Sequence, residues 1–205
     1  MERLYSIIED IDEYISRKDK VRESALKQSR IVVRLSGELI NAIHRKEKTG
    51  RIWKQLKKEG KKLKKTISDF PELCYTGAVE AAFMELSEAF VFSAVLSGEE
   101  PPGPSELEVT EESYVLGLAD VIGELRRELL QELKDGNIDT ANNLLEKMEK
   151  LYEIIMKFDY PSGLLPIRQK QDNARAILER TRSDLAVACR GKALEERIKE
   201  LIDKL

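Results

Sequence analysis

The sequence predicts an all-α protein: a single-domain bundle of about six to seven helices with a long N-terminal helix. Apolar residues recur at helical spacing in nearly every segment of the 205-residue chain, and no segment alternates as a strand does. Charged residues make up 36% of the chain and aromatic residues only 6%, which is typical of long, solvated helices. The one clear loop is 97–112, rich in proline, glycine and acid. We therefore expect one domain over 1–205.

The first helix is predicted from an apolar seam about 45 residues long, in which spacings of four and three alternate. Lys18 and Arg22 interrupt this seam. Such spacing is typical of coiled coils, so we expect this helix to pack against partners. The seam consists of Leu4, Ile8, Ile11, Ile15, Ala25, Ser29, Val32, Ser36, Leu39 and Ile43.

The later helices are predicted from their apolar periodicity and from cap and stop residues. Pro71 is expected in the first turn of the third helix, and Thr110 is expected to cap the fourth. Gly136 is predicted to end the fourth helix and Gly191 the sixth. With caps and stops included, the predicted spans are 50–68, 71–96, 110–136, 139–158, 167–190 and a short final helix over 193–204.

Two pairs of acids lie in segments that are otherwise apolar. Glu85 and Glu88 are three residues apart in FMELSEAFVF (83–92), and Asp120 and Glu124 are four apart in YVLGLADVIGEL (114–125). Either spacing places both carboxylates on one helix face. Because isolated buried carboxylates are costly, the four acids favour an oxygen-only site for Mg²⁺, or Mn²⁺. The alternative is that they pair with arginines or line a narrow wet strip.

Small residues accompany the second pair of acids. Gly117 and Gly123 lie near the face that carries Asp120 and Glu124. A glycine inside a helix costs about 1 kcal/mol relative to alanine, so these positions are expected to serve a close approach. That approach would be made by another backbone or by a substrate.

The second predicted helix is strongly basic, since RIWKQLKKEGKKLKKT (51–66) holds eight lysines or arginines and one acid. Its apolar stripe is Ile52, Leu56, Leu63 and Ile67. The basic face suits a phosphate backbone, although a solvated amphipathic helix explains it equally well. The candidate nucleic-acid-binding residues are Lys54, Lys57, Lys58, Lys61, Lys64, Lys65 and Arg127. Secondary candidates for phosphate contacts are Arg126, Arg168, Lys170 and Arg175.

Composition argues against several other classes. Two cysteines, Cys74 and Cys189, and the single His44 are too few for an ordinary zinc site, and neither acidic pair has the histidine of a di-iron bundle. The longest apolar run, Ala89–Leu96, is too short to span a bilayer. Acids stand where a signal peptide needs a basic region. We expect a cytoplasmic protein with reduced thiols and no membrane partner.

Several of these segments resemble the translin/TRAX family, and TRAX more than translin. YVLGLADVIGEL (114–125) resembles the family's YLLGVADLTGELMR, and Arg127 falls on the arginine of that motif. GNIDT (136–140) resembles GDIDT, and ELSEAFVF (85–92) resembles the TRAX sequence EYVEAVSF. Residues 27–45 resemble the first-helix region more loosely. Residues 70–82 and 160–169 depart from the family pattern.

The resemblance implies an all-α subunit of a hollow octamer, here a homo-octamer, that binds RNA and single-stranded DNA. It also implies Mg²⁺-dependent endoribonuclease activity, with the TRAX catalytic carboxylates falling on Glu85, Glu88, Asp120 and Glu124. One alternative is a translin-like scaffold that binds RNA or single-stranded DNA without cutting it. A less favoured alternative is an all-α nucleoside triphosphate pyrophosphatase, whose second acidic pair would be spaced differently.

Overall fold

A computed structural model describes residues 1–204, which form seven α-helices and one 3₁₀ helix and contain no strand. This confirms the predicted all-α fold. The chain divides into two compact units, Met1–Gly117 and a second from Leu118 onward. The single domain over 1–205 stays a prediction. The helices are α1 (Glu2–His44), α2 (Gly50–Thr66), α3 (Gly77–Ser97), α4 (Pro104–Leu107), α5 (Glu111–Lys134), α6 (Ile138–Ile155) and α7 (Arg168–Ile202).

The core of the first unit forms where α1 packs against α2 and α3. Each helix contributes fully buried apolar side chains, such as Leu39 of α1, Leu56 of α2 and Phe83 of α3. Burying one such side chain stabilises a fold by about 1.5–3 kcal/mol. Gly60 lets α2 approach α3, because a methyl group of Leu86 occupies the place of a Cβ. This packing buries Leu56, Leu63 and Ile67 of the predicted stripe and leaves Ile52 half-buried.

The seam of α1 is buried only in its second half. Ala25, Val32 and Leu39 are buried, whereas the early seam residues are roughly half exposed. An apolar helical face therefore stays at the surface of the single chain. The exposed early seam residues are Leu4, Ile8, Ile11 and Ile15.

The third helix begins later than predicted. Pro71–Tyr75 is a 3₁₀ helix, and α3 starts at Gly77. The reason is Thr76, whose extended backbone (φ −80°, ψ 134°) separates the two. Its hydroxyl donates a 2.7 Å hydrogen bond to the carbonyl of Leu73, which closes the 3₁₀ helix instead of continuing it.

The loop over 97–112 also contains a turn of helix that was not predicted. It is α4, where the Gly103 N–H donates to Glu106 Oε2 at 2.8 Å. Such a bond satisfies a donor that a helix start would leave unpaired.

The predicted caps of α5 are confirmed. The Thr110 hydroxyl accepts a hydrogen bond from the Ser113 N–H at 3.2 Å, which is an N-cap bond. At the other end, Gly136 adopts a left-handed conformation (φ 80°). Asn137 N–H then reaches the carbonyl of Glu132 at 2.8 Å, as in a Schellman motif. These bonds set where α5 begins and ends.

In the second unit, α6 packs against α7 through small and aliphatic residues, including Ala141 and Met148 on α6 and Ala174 on α7. Gln171 of α7 forms hydrogen bonds at the C-terminal end of α6. Its buried amide donates to the carbonyls of Ile155, the last residue of α6, and of Phe158 just beyond it.

The prediction that Gly191 ends the sixth helix is wrong. Instead, α7 runs through Gly191 to Ile202, and no separate final helix exists. A glycine inside a helix costs about 1 kcal/mol, which is too little to stop a helix when good helix formers flank it and no proline follows. Among the described helices, none combines the length and apolar character that crossing a bilayer requires.

Candidate metal and nucleic-acid sites

The first acidic pair lies on α3, inside the apolar part of the first unit. Glu88 is only 9% exposed and Glu85 is half-buried, while Leu86 and Phe90 beside them are buried. Both residues take part in polar, ring or electrostatic interactions within the chain. Glu88 is therefore poorly hydrated, whereas Glu85 keeps partial access to solvent.

Gly117 brings α5 against α3 next to this pair. A Cβ on Gly117 would collide with the carbonyl oxygen of Met84 and lie 3.0 Å from Ser87 Cβ and 3.1 Å from Glu88 N. Only glycine fits here, so the predicted close approach of a second backbone is confirmed at Gly117. Gly123 differs, because a Cβ there would meet nothing within 4 Å.

The second acidic pair lies on α5 in the second unit, and both acids have basic neighbours. Lys170 Nζ lies 2.7 Å from Asp120 Oδ1 and 2.5 Å from Oδ2. Arg127 lies 3.6 Å from Glu124. A cleft of about 270 Å³ beside Asp120 is also lined by Gly123, Lys170 and Asn173. Asp120 therefore has a strong ion-pair partner that sequence reasoning placed only among secondary phosphate contacts.

Two further acids of α5 were missed by the sequence analysis. Glu128 and Glu132 are 7% and 6% exposed, so both are buried more deeply than Asp120. They continue the spacing of four that links Asp120 to Glu124, a signal the sequence contains. Because each step of four residues turns by about 40°, this acidic row winds around the helix. Glu132 is satisfied locally, since Asn137 donates to it at 2.7 Å.

A second cleft, of about 430 Å³, borders Gly123 and is basic. Its lining includes Arg126, Arg127 and Lys134. The guanidinium of Arg126 is engaged within the protein, since it donates to Thr181 Oγ1 and to Asp184 Oδ2 at 2.7 Å each. Arg127 is exposed, so it can reach a phosphate from this cleft as well as Glu124.

The six candidate lysines of α2 occupy three different environments. Lys61, Lys64 and Lys65 line one cleft of about 340 Å³, where Lys61 pairs with Glu108 at 3.0 Å. Lys57 instead lies over the ring of Trp53. Lys54 and Lys58 are exposed. The structure thus groups three of the six predicted residues into one basic cleft.

The donor set on the two acidic pairs consists of carboxylates, which are hard oxygen ligands of the kind Mg²⁺ prefers. Within either unit, the described residues contain no group of three or more His, Cys, Asp or Glu arranged to hold a metal ion. Each unit contributes one pair of predicted ligands. The four-carboxylate Mg²⁺ site stays a prediction.

Comparison with known proteins gives related chains, although no family model matches. An uncharacterized protein of Methanocaldococcus jannaschii, MJ0175, is 37% identical over 191 residues, covering 92% of this chain and 85% of the other. AfC3PO in complex with duplex RNA is 32% identical with a TM-score of 0.83, covering 91% of this chain and 98% of that one. A second structure, the crystal structure of AfC3PO, is 33% identical with a TM-score of 0.75, covering 91% of this chain and 98% of that one.

A more distant structure shares the fold alone. Apo-NeC3PO is 19% identical, with a TM-score of 0.77 over 88% of this chain and 96% of that one.

Proposed function

Because the chain belongs to the translin/TRAX-type C3PO family, we propose that it is a Mg²⁺-dependent endoribonuclease that binds RNA. The observation that carries this proposal is the 32% identity to AfC3PO, a protein whose structure contains duplex RNA. Within the family we assign the chain to the TRAX-like type. The support is the full acidic set, Glu85, Glu88, Asp120 and Glu124, at the positions where the TRAX motifs carry it.

The proposed metal ligands are the same four carboxylates, one pair on α3 and one on α5. When bound, Mg²⁺ would supply positive charge for the phosphodiester and make a bound water more acidic; Mn²⁺ could replace it. A carboxylate that is not fully engaged by the metal would accept the proton of the attacking water. Lys170, which pairs with Asp120, would have to give up this carboxylate to a metal that takes both of its oxygens.

RNA would be held by the basic clefts rather than by the acids. Lys61, Lys64 and Lys65 offer three ammonium groups from one cleft, and Arg127 offers a guanidinium beside the second acidic pair. Contacts of this kind position a phosphate backbone without reading its sequence, so single-stranded DNA is a further candidate ligand.

We also propose that copies of the chain assemble, as a hollow homo-octamer. The support is the apolar surface on two long helices: the first half of α1, and the end of α7 with Val187, Leu194 and Ile198 exposed. Contiguous exposed apolar surface commonly marks a protein interface.

The test incubates labelled short RNA with the purified protein, in Mg²⁺ and in EDTA, alongside Glu88→Gln and Asp120→Asn. These variants keep the side-chain shape and remove a charge. Cleavage is expected only with Mg²⁺ and is expected to be lost in both, while RNA binding persists. Glu153→Gln, an exposed acid of α6, is the matched control and should cut normally.

A non-catalytic RNA-binding scaffold is the second candidate function. The Lys170–Asp120 ion pair favours it, because it satisfies this carboxylate without a metal. Wild-type protein that binds RNA but never cuts it would establish the scaffold. Hydrolysis of nucleoside triphosphates in place of RNA would instead indicate the pyrophosphatase class.

A further inference from the structure

One cleft of the first unit contains none of the proposed metal ligands. Its volume is about 470 Å³, and its walls come from α2, α3, α4 and the segment between α3 and α4. This volume lies in the range of small-molecule sites. Trp53 and Phe90 form the aromatic wall, with Pro101 and Pro102 nearby. The cleft is thus part aromatic and part aliphatic.

The charges around this cleft are mainly negative. Glu99, Glu100 and Glu106 line it, against a single cation, Lys57. Glu106 is occupied by the Gly103 N–H. Among residues 1–204, the carboxylates of Glu99 and Glu100 have no hydrogen-bond or ion-pair partner. A phosphate would be repelled here, whereas an organic cation would find two uncompensated acids.

The aromatic wall already holds one alkylammonium group. Lys57 Nζ lies 5.1 Å from the centre of the Trp53 ring, and Phe90 meets the ring edge-on at 4.9 Å. An ammonium over an indole face is attracted by the ring quadrupole. The site therefore combines a cation-binding aromatic ring with free carboxylates and rigid aliphatic proline surface.

From this combination we propose that the cleft binds a small aliphatic polyamine. Its ammonium groups would pair with Glu99 and Glu100, and its methylene stem would lie along Pro101, Pro102 and Trp53. An inorganic ion would gain nothing from the aliphatic and aromatic walls, since it keeps its water shell. Lys57 opposes such a ligand by charge, so removing its charge should improve binding.

The test uses the fluorescence of Trp53, which is the only tryptophan of the chain. Titration of the RNA-free protein with spermidine should change the emission and saturate. Glu99→Gln/Glu100→Gln should weaken binding about tenfold, because two ion pairs are lost. Glu195→Gln/Glu196→Gln removes a matched pair of neighbouring exposed acids from α7 and should leave binding unchanged.

The Lys57→Gln variant tests whether the cleft favours a positively charged ligand. It should bind spermidine several-fold more tightly, and weaker binding would overturn the proposal. The proposal also fails if Mg²⁺ at the same charge concentration changes the emission equally, or if the Glu99→Gln/Glu100→Gln variant binds as the wild type does. Neither result depends on RNA binding or cleavage.

Discussion

Lys170 Nζ lies within 2.7 Å of both carboxylate oxygens of Asp120, although 50 residues separate them in the sequence. Lys170 is 22% exposed and Asp120 37%, so water screens the pair only in part. A metal ion that took both oxygens of Asp120 would have to displace this ammonium group. The ion pair therefore competes with the proposed metal for the same ligand.

Lys170→Gln is expected to raise the affinity for Mn²⁺, a spectroscopic substitute for Mg²⁺. A partly exposed ion pair contributes up to about 1 kcal/mol, so the gain should be roughly fivefold. Mn²⁺ titration followed by electron paramagnetic resonance measures it. Arg168→Gln, which removes an exposed partner of Asp159, is the control. Unchanged Mn²⁺ affinity in Lys170→Gln would show that Asp120 binds no metal.

Gly117→Ala is expected to destabilise the protein by about 1–3 kcal/mol, the usual cost of overpacking, because the new Cβ collides with the Met84 carbonyl. Gly123→Ala, on the same helix and with open space around its Cβ, should instead stabilise by up to about 1 kcal/mol. Urea unfolding measures both. Equal effects at the two positions would mean that α5 does not approach α3 as described.

The cleft lined by Lys61, Lys64 and Lys65 should contribute more to RNA binding than Lys54 and Lys58 of the same helix. Lys64→Gln/Lys65→Gln is expected to reduce the slope of log affinity against log salt by roughly 1.4, which corresponds to two lost contacts to single-stranded RNA. Fluorescence anisotropy at several salt concentrations gives this slope. Lys54→Gln/Lys58→Gln removes the same number of charges and should change the slope less. A larger effect from this control pair would place the RNA on the exposed face.

Gly191→Ala is expected to stabilise α7 by about 0.5–1 kcal/mol, because the helix continues through this position. Gly191→Pro should instead lower the helical signal in circular dichroism, since proline removes a backbone donor and clashes with the preceding turn. If Gly191 ended a helix, Gly191→Ala would not raise the stability, and Gly191→Pro would lower the helical signal only slightly.

Features that depend on local spacing can be predicted from the amino-acid sequence alone. Helical periodicity predicts the all-α fold, the Thr110 cap and the Gly136 stop, because each depends on residues within one or two turns. The spacing of Glu85 and Glu88 places them on one face for the same reason. Gly117 could be predicted as a contact position, because a glycine inside a helix destabilises the helix and a close contact with another segment accounts for its presence.

Contacts between groups that are distant in the sequence depend on how the helices and loops pack. Nothing in the sequence pairs Lys170 with Asp120, separates Lys57 from the lysines around Lys64, or folds Glu99 and Glu100 around Trp53. These contacts arise where helices and loops pack, so they depend on segments tens of residues apart. Local periodicity orients a side chain on its own helix but carries no information about what another segment brings to it.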